Sequence, residues 1–432
     1  MTSQKHLKAA VRARMARTGE RYTTARRQLA GRPVPDHPGL VPGYRRFGGG
    51  RHHDSALLAH LLEALGVTGA HDGEPIDEPM AAGLAGGIGF MYFSFSYTGH
   101  LPTMTIVPRI HPRPFLVGAL ERTGLPHHVS ETTSAAKAAR ELDAALDAGH
   151  PALVTVDRAG LGHQVWADSI PGSDPYDVVV AGRLGDVALL DDDALAPLEV
   201  PVDVLASARA AHRASRHRMV VVEPPGAPVD LAPAVRASIA VTVHDLTEDV
   251  MPGNGAGNFG LRGLTRWADA LADRRTKTGW ARIFDSGPAL GHALRRLHDC
   301  LTFDHSSPGA MRPLYADFLT AAAGLLDEPA LAEAARLYSR AGDLWAQLAE
   351  TAVAGPLAPY RGLAERRLEL LLGGAGADRL RPLADEAEAL TAGLDLDEAG
   401  RLAVLDPLAG LAAEVVALER EACAALQAAT GT

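Results

Sequence analysis

Residues 51–66 read RHHDSALLAHLLEALG, and this stretch decides the expected fold of the first half of the chain. Leucines recur from Leu57 to Leu65 at the spacing of one helix face, and Gly66 then ends the pattern. The polar cluster at residues 52–55 therefore lies at a helix N-terminus. Free N–H groups and the helix dipole favour an anionic or developing-anion centre there, so this turn is the leading candidate for a functional site.

The side chains of this polar cluster allow two interpretations. Ser55 could act as a nucleophile with His52 or His53 as its base, because backbone N–H groups at the helix start could stabilise an oxyanion. Alternatively, Asp54 or Ser55 only caps the helix and the histidines lie in a loop, which spacing alone favours. Adjacent histidines do not share one helix face, so we expect neither a metal site nor a cofactor here.

A second informative stretch, residues 83–97, reads GLAGGIGFMYFSFSY. Its four glycines indicate close backbone approach or positive φ, and the aromatic alternation that follows predicts a buried strand. The glycines precede the strand and no helix follows them, which excludes a dinucleotide-binding fingerprint. A phosphate-binding P-loop is excluded as well, because no Gly-Lys-Ser/Thr is present.

Composition bounds the class of protein. The 432 residues suffice for two or three domains. The net charge of −10 disfavours nucleic acid as a partner. Two cysteines, Cys300 and Cys423, exclude a disulfide framework and a Cys-rich zinc site. The N-terminus lacks a signal-peptide apolar region and no 18-residue apolar run is free of charges, so we expect a soluble cytoplasmic protein without a membrane partner.

The order of predicted elements indicates an α+β fold with three regions. Residues 1–44 form a basic helical segment and a Pro-rich linker; the nine Lys and Arg residues of this segment either dock an acidic partner or face water. Residues 45–225 mix short strands and helices, typical of an α+β domain. Residues 228–432 predict an all-α domain, whose helices after residue 375 leave a homodimer open.

Three further places carry candidate side chains. Tyr176 and Asp177 begin a predicted strand, and an acidic run at residues 191–193 either orients a base or forms a solvated turn. His163, in a polar loop, either reaches a pocket or is an ordinary surface histidine, and we expect the second. Arg312 begins a helix, an unfavourable place for a cation in the helix dipole, which indicates an anionic partner that is either a side chain or a ligand.

Several of these stretches together resemble the family of butirosin biosynthesis protein H. Residues 51–62, Glu78-Pro79-Met80 and the glycine run at 83–90 are similar to its N-terminal domain, in which a His-Cys-Glu-Thr stretch opens a Leu-rich helix and Ser-Glu-Pro and a Gly-rich run follow. Residues 259–267 and 307–319, with Trp345, resemble the helical domain that follows in the family. The resemblance covers about residues 45–350.

The resemblance implies a papain-like cysteine fold for residues 45–225, akin to bacteriocin-processing peptidases. The named member of the family transfers an acyl group from an acyl-carrier protein to the amine of an aminoglycoside. The implied partners are therefore a carrier protein or other thioester donor and a small-molecule or peptide amine, and the implied setting is antibiotic or other specialised-metabolite biosynthesis.

This sequence departs from the family pattern at two of its three catalytic positions. The position of the family's nucleophilic Cys holds His53. The position of its His holds Tyr176 or Asp177, and only the orienting Asp is matched, by Asp191 or Asp192. The site therefore lacks the thiol and the imidazole that the family implies.

Three functional hypotheses follow from this departure. The first is direct aminolysis of a bound thioester, with His52 or His53 as general base and helix N–H groups as oxyanion donors. The second is a rewired site that uses Ser55 or His53 as nucleophile, in a cyclisation or hydrolysis for example. The third is a non-catalytic homologue that binds a ligand, a carrier or a partner enzyme.

We expect the pocket at residues 52–55, roofed by residues 83–90 and bordered by 176–177 and 304–312. The predicted catalytic residues are His52, His53, Asp54, Ser55, Asp177 and Asp191. The predicted substrate-binding residues are Gly86, Gly87, Gly89, Phe90, Tyr92, Tyr176, His305, Arg312 and Tyr315.

Overall fold

A computed structural model describes residues 37–164 and 171–431 of the chain. These residues form an α+β protein, with a large sheet in the first half and helices in the second. The predicted basic helix at residues 1–32 lies outside the described residues. Within the part of the chain that is described, no helix is both long and apolar enough to span a lipid bilayer.

Helices and strands are mixed along the chain up to residue 222, and the elements of the described residues after it are helices. In chain order they are α1 (His53–Ala64), α2 (Glu78–Leu84), β1 (Ile88–Phe95), β2 (Thr103–Arg109), α3 (Phe115–Thr123), β3 (His127–Ser130), α4 (Ala135–Asp147), β4 (Ala152–Asp157), β5 (Pro175–Leu184), β6 (Val187–Asp191), β7 (Leu198–Pro201), α5 (Val202–Ala211), β8 (Met219–Val222), α6 (Leu231–Thr247), α7 (Gly260–Ala272), α8 (Trp280–Ile283), α9 (Gly287–Thr302), α10 (Arg312–Leu326), α11 (Ala330–Ala352), α12 (Ala358–Leu372), α13 (Ala377–Ala392) and α14 (Glu398–Thr430).

The chain divides into two compact units that interleave along the sequence. The first contains residues 37–78, 124–229 and 363–386, and the second contains residues 79–123, 230–362 and 387–431. Residues 79–123 thus belong with the helices of the second unit, whereas the sequence placed them in a contiguous domain at 45–225. Their place follows from packing: Phe90 of β1 contacts Trp267 and Trp345 in the core of the second unit.

The first unit is built on a six-stranded antiparallel sheet with the strand order β3-β8-β4-β5-β6-β7. Val154 and Val156 of β4 and Val178 and Val180 of β5 are fully buried, and Leu142 of α4 belongs to the same core cluster. Because strand side chains alternate between faces, this spacing of two places all four valines on one covered face. Burying each contributes about 1.5–3 kcal/mol.

Helix α1 packs on strand β5 of this sheet. Its leucines are all buried, which explains the helical spacing seen in the sequence. The helix begins at His53, three residues before the start that the leucine pattern predicts. The extension arises because His52 takes the N-cap position, where its side chain accepts a hydrogen bond from the backbone N–H of Ser55.

The second unit packs helices around a tryptophan core and includes the antiparallel hairpin of β1 and β2. Trp267 of α7 and Trp345 of α11 are fully buried, with ring centroids 5.5 Å apart. The 33-residue helix α14 packs along both α11 and α7. The helices after residue 228 agree with the all-α region that the sequence predicts there.

Candidate active site

Asp192, directly after β6, is the centre of a buried hydrogen-bond cluster in the first unit. One oxygen, Oδ1, accepts a hydrogen bond from the Tyr176 hydroxyl at 2.7 Å and lies 2.8 Å from Nε2 of His53. The other oxygen, Oδ2, lies 2.7 Å from Nε2 of His163 and accepts from Nε2 of Gln164 at 2.7 Å. We call these five residues the Asp192 cluster. Four partners fix the carboxylate and satisfy both of its oxygens.

Three elements bring the cluster together. His53 is the first residue of α1, Tyr176 lies near the start of β5, and Asp192 follows the end of the neighbouring strand β6. The rings of His53 and Tyr176 stack with centroids 4.5 Å apart. The guanidinium of Arg158 lies 5.5 Å from the centroid of the Tyr176 ring. The site therefore forms where a helix N-terminus meets two antiparallel strands.

His53 carries a proton at neutral pH in this environment. Burial alone would lower its pKa, but the hydrogen bonds that His53 donates to Asp192 and Asp54 and the charges of both carboxylates outweigh burial and raise the pKa to about 10. Its Nε2 is 2.8 Å from Asp192 and its Nδ1 is 3.1 Å from Asp54. Both ring nitrogens are thus bound to carboxylates, a geometry that does not favour the base or nucleophile role predicted for His53.

Asp192 is correspondingly held as an anion. Burial acts to raise its pKa, but hydrogen bonds and charge from His163 and His53 outweigh burial and hold the pKa well below its usual range. Burial and the adjacent Asp192 carboxylate raise the pKa of the Tyr176 hydroxyl well above its ordinary value. Tyr176 is therefore a neutral hydrogen-bond donor to Asp192.

His163 and Gln164 are the site residues that the sequence did not predict. The expectation that His163 is a surface histidine is wrong, because only 12% of its side chain is exposed and its Nε2 bonds Asp192. The acidic run is likewise not a solvated turn, since Asp191 and Asp192 are both buried. The sequence signal that could have indicated both residues is the stretch GLGHQ at residues 160–164, in which two glycines precede the imidazole of His163 and the amide of Gln164.

His52 and Ser55 form the cap of α1. Both side chains are fully buried, and Nδ1 of His52 lies 2.7 Å from Oγ of Ser55. Oε1 of Glu78 accepts hydrogen bonds from the backbone N–H groups of Arg51 and His52, at 2.7 Å each. The geometry of His52 and Ser55 is that of the capping alternative, and Glu78 binds two N–H groups just before the helix.

Asp191 belongs to a second buried group behind Asp192. Its Oδ2 accepts from the Tyr44 hydroxyl at 2.7 Å and lies 2.8 Å from Nδ1 of His60. Burial acts to lower the pKa of His60, but the charge of Asp191 and the hydrogen bond to it outweigh burial, and the pKa is raised. Burial and the neighbouring carboxylates raise the pKa of Asp193 to about 6. Of the two aspartates that match the family's orienting residue, Asp192 is the one that meets His53.

Asp177 takes a different place from its predicted role. Its Oδ1 accepts a hydrogen bond from the Thr155 hydroxyl at 2.5 Å, across the β4–β5 pair in which these two residues are direct partners. Successive side chains of a strand point to opposite faces of the sheet, so Asp177 and Tyr176 cannot both face the Asp192 cluster. Tyr176 is the member of the pair that does.

The other predicted substrate-binding residues belong to the second unit, where they pack its core. Gly87 has a φ of +61°, and a Cβ there would lie 2.3 Å from the Tyr315 ring. Gly86 also has positive φ, and a Cβ at Gly89 would lie 2.8 Å from the carbonyl oxygen of Arg109. The glycine run therefore serves close packing.

Tyr92 and His305 also lie in the second unit. Tyr92 accepts a hydrogen bond from the Trp280 indole at 3.0 Å, and His305 is half-buried with positive φ.

Arg312 is fully buried and its partner is a side chain. Its Nε donates to Oε1 of Glu419 at 2.6 Å, and its two terminal nitrogens donate to the carbonyl oxygens of Pro108, Ala310 and Gly89 at 2.8–3.0 Å. Glu419 itself is 0% exposed. Of the two anionic partners that the helix position allowed, the structure contains the side chain.

Neither cysteine belongs to the first unit. Cys300 and Cys423 both lie buried in the second unit, and burial raises the pKa of each thiol. Across residues 37–164 and 171–431, His, Cys, Asp and Glu side chains form no group of three arranged to hold a metal ion. The ionisable chemistry of the Asp192 cluster is thus that of histidine, tyrosine and carboxylate.

This fold and this site define a class: an α+β protein with a candidate active site of His, Tyr and Asp at a helix N-terminus. Residues 52–193 match the family model of Butirosin biosynthesis protein H, N-terminal, and residues 203–359 match that of a Domain of unknown function (DUF4872). The chain belongs to the butirosin biosynthesis protein H-like family, as its motifs predicted. A comparison with curated proteins gave no match.

Proposed function

We propose that this protein transfers an acyl group from a thioester to an amine by direct aminolysis, in the biosynthesis of an antibiotic or related metabolite. The observation that carries the proposal is the pairing of His163 with Asp192. A carboxylate bound to Nε2 favours the tautomer with its proton on Nε2 and leaves Nδ1 as an acceptor. Within residues 37–164 and 171–431, Nδ1 of His163 has no hydrogen-bond partner.

The proposed reaction needs no covalent bond to the protein. The amine nitrogen attacks the thioester carbonyl and Nδ1 of His163 takes the amine proton. The tetrahedral intermediate then collapses, the C–S bond breaks, and the leaving thiolate takes that proton from His163. The helix dipole at the start of α1, beside the Asp192 cluster, favours the developing oxyanion.

The arrangement of the first unit supports a papain-like fold for this reaction. A helix packs on an antiparallel sheet and begins at the site. The positions that hold the family's Cys, His and Asp are occupied by His53, Tyr176 and Asp192, which contact one another. These contacts support a papain-like placement of the three positions with different chemistry.

The test is amide formation from an acyl-pantetheine thioester. The full chain is incubated with acetyl-pantetheine and a panel of aminoglycosides, amino acids and short peptides, and both amide and intact protein mass are followed. His163→Gln removes the base, while His128→Gln makes the same change at an exposed position of β3. We expect amide with wild type and His128→Gln, no protein adduct, and about 100-fold slower formation with His163→Gln.

A second candidate function is binding of the thioester or its carrier without catalysis. His53 favours it, because both of its nitrogens are bound to carboxylates at the position of the family's nucleophile. Saturable binding of acetyl-pantetheine with no amide from any amine would support this second function and contradict the first. Amide formation at the wild-type rate by His163→Gln would contradict the base role.

A further inference from the structure

A cleft of about 670 Å³ in the second unit is lined by three arginines. Arg262 and Arg266 come from α7 and Arg420 comes from α14, while Tyr92 and Ser94 of β1 complete the wall. A volume of this size is typical of small-molecule sites. On helix α7 the lining residues recur three or four positions apart, which places them on one face of that helix.

The arginines of this cleft are incompletely neutralised. Arg262 forms an exposed ion pair with Asp249 at 2.6 Å. Arg420 donates to the neutral hydroxyl of Thr265 at 3.0 Å. Arg266 forms neither an ion pair nor a hydrogen bond within residues 37–164 and 171–431. Two of the three guanidinium groups therefore face the cleft without a carboxylate partner.

The carboxylates that line the cleft, Asp269 and Asp273, form no ion pair with Arg266 or Arg420 among the described residues. Asp273 is occupied by its own turn, since it accepts from the backbone N–H groups of Arg275 and Thr276 and from the Thr276 hydroxyl. Asp269 is the other acid in the lining. In the part of the chain that the structure describes, Arg266 and Arg420 thus lie in the lining without a carboxylate partner of their own, and their N–H donors suit a ligand whose oxygens only accept.

We propose that this cleft binds a phosphate ester, with Arg266 and Arg420 holding the phosphate oxygens. Guanidinium groups match phosphate geometry through paired N–H donors. The ester could be a small phosphorylated metabolite or the phosphopantetheine arm of a carrier protein, which share this chemistry. The proposal does not depend on acyl transfer at the Asp192 cluster.

Calorimetry of the full chain with matched pairs of compounds tests the site. The probes are 4′-phosphopantetheine against pantetheine and glucose 6-phosphate against glucose. We expect each phosphorylated probe to bind at least tenfold more tightly than its partner, and binding to weaken in 0.5 M salt. Tighter binding of phosphopantetheine than of glucose 6-phosphate would identify the carrier arm, and similar binding a metabolite. Equal affinity within both pairs would overturn the proposal.

Variants assign the binding to this cleft. We expect Arg266→Gln combined with Arg420→Gln to weaken phosphopantetheine at least tenfold, while Arg340→Gln, an exposed change on α11, leaves it unaltered. Unchanged affinity of a folded double variant would overturn the proposal. A second readout needs no variant. Bound phosphopantetheine should protect Arg266 of the wild-type protein from modification by phenylglyoxal, and an equal rate of modification with and without the ligand would also overturn the proposal.

Discussion

His53 and Tyr176 stack at 4.5 Å and bond the same carboxylate oxygen of Asp192. His53 holds the position at which the family pattern implies a thiol, and Tyr176 is one of the two residues that match the position of its imidazole. In this structure the pair is an imidazolium and a phenol. The charge that they share with Asp192 has measurable consequences for stability and for activity.

The raised pKa of His53 predicts how stability depends on pH. Its pKa of about 10 in the folded protein exceeds the ordinary value of 6.5. The proton on His53 therefore stabilises the fold fully below pH 6.5, and this contribution is lost as the pH rises towards 10. We expect the free energy of unfolding of wild type, relative to His53→Gln, to fall by on the order of 2 kcal/mol between pH 6 and pH 10.

Urea unfolding at both pH values measures this difference. His128→Gln is the control, because His128 is exposed on β3 and is not part of the Asp192 cluster. A gap between wild type and His53→Gln that stays constant or widens with pH would contradict a cationic His53.

Removing the charge of Asp192 should be costly. Asp192→Asn leaves the buried His53 cation without its main partner, and breaking a buried pair from one side costs about 3–5 kcal/mol. Asp186→Asn makes the same substitution in the exposed β5–β6 turn and should change stability by less than about 0.5 kcal/mol. Thermal and urea unfolding at pH 7 compare the two; equal effects would argue against the cluster as a charged unit.

The sequence predicts those parts of the fold whose pattern lies within one short segment, and it misses contacts between distant segments. The leucines of α1 and the valines of β5 are local patterns, and the helix and the strand that they form were both predicted. The Asp192 cluster was only half predicted, because His163 lies in the loop between β4 and β5 while Asp192 follows β6, and no local pattern joins the two. The Arg312–Glu419 pair joins residues of two distant helices, and no local pattern marks it.

That buried pair gives a further prediction. Arg312→Met should lower the free energy of unfolding by about 3–5 kcal/mol, since it leaves the Glu419 carboxylate buried without its cation. Arg312→Met with Glu419→Met should cost less than the single change, because no charge is then buried. Urea unfolding followed by tryptophan fluorescence suits the comparison, as the Trp345 indole donates to Glu419. A double variant less stable than the single one would contradict this account.

Gly87 tests the packing role of the glycine run. Gly87→Ala combines a φ of +61° with a Cβ that meets the Tyr315 ring, so we expect a loss of about 2–4 kcal/mol. Gly124→Ala has a similar φ of +65° and open space around its Cβ, so it isolates the backbone cost of about 1–2 kcal/mol. Similar losses of unfolding free energy at both positions would rule out close contact with Tyr315 as the reason that residue 87 must be a glycine.

The most direct test of the central claim is chemical rescue of a His163→Gly variant. If Nδ1 of His163 is the general base, this variant should form amide slowly from acetyl-pantetheine and an accepted amine. Added imidazole should then restore the rate in a saturable way, while His163→Gln, which fills the space, should respond less. A folded His163→Gly variant that keeps the wild-type rate, or that imidazole does not rescue, would contradict general-base catalysis by His163.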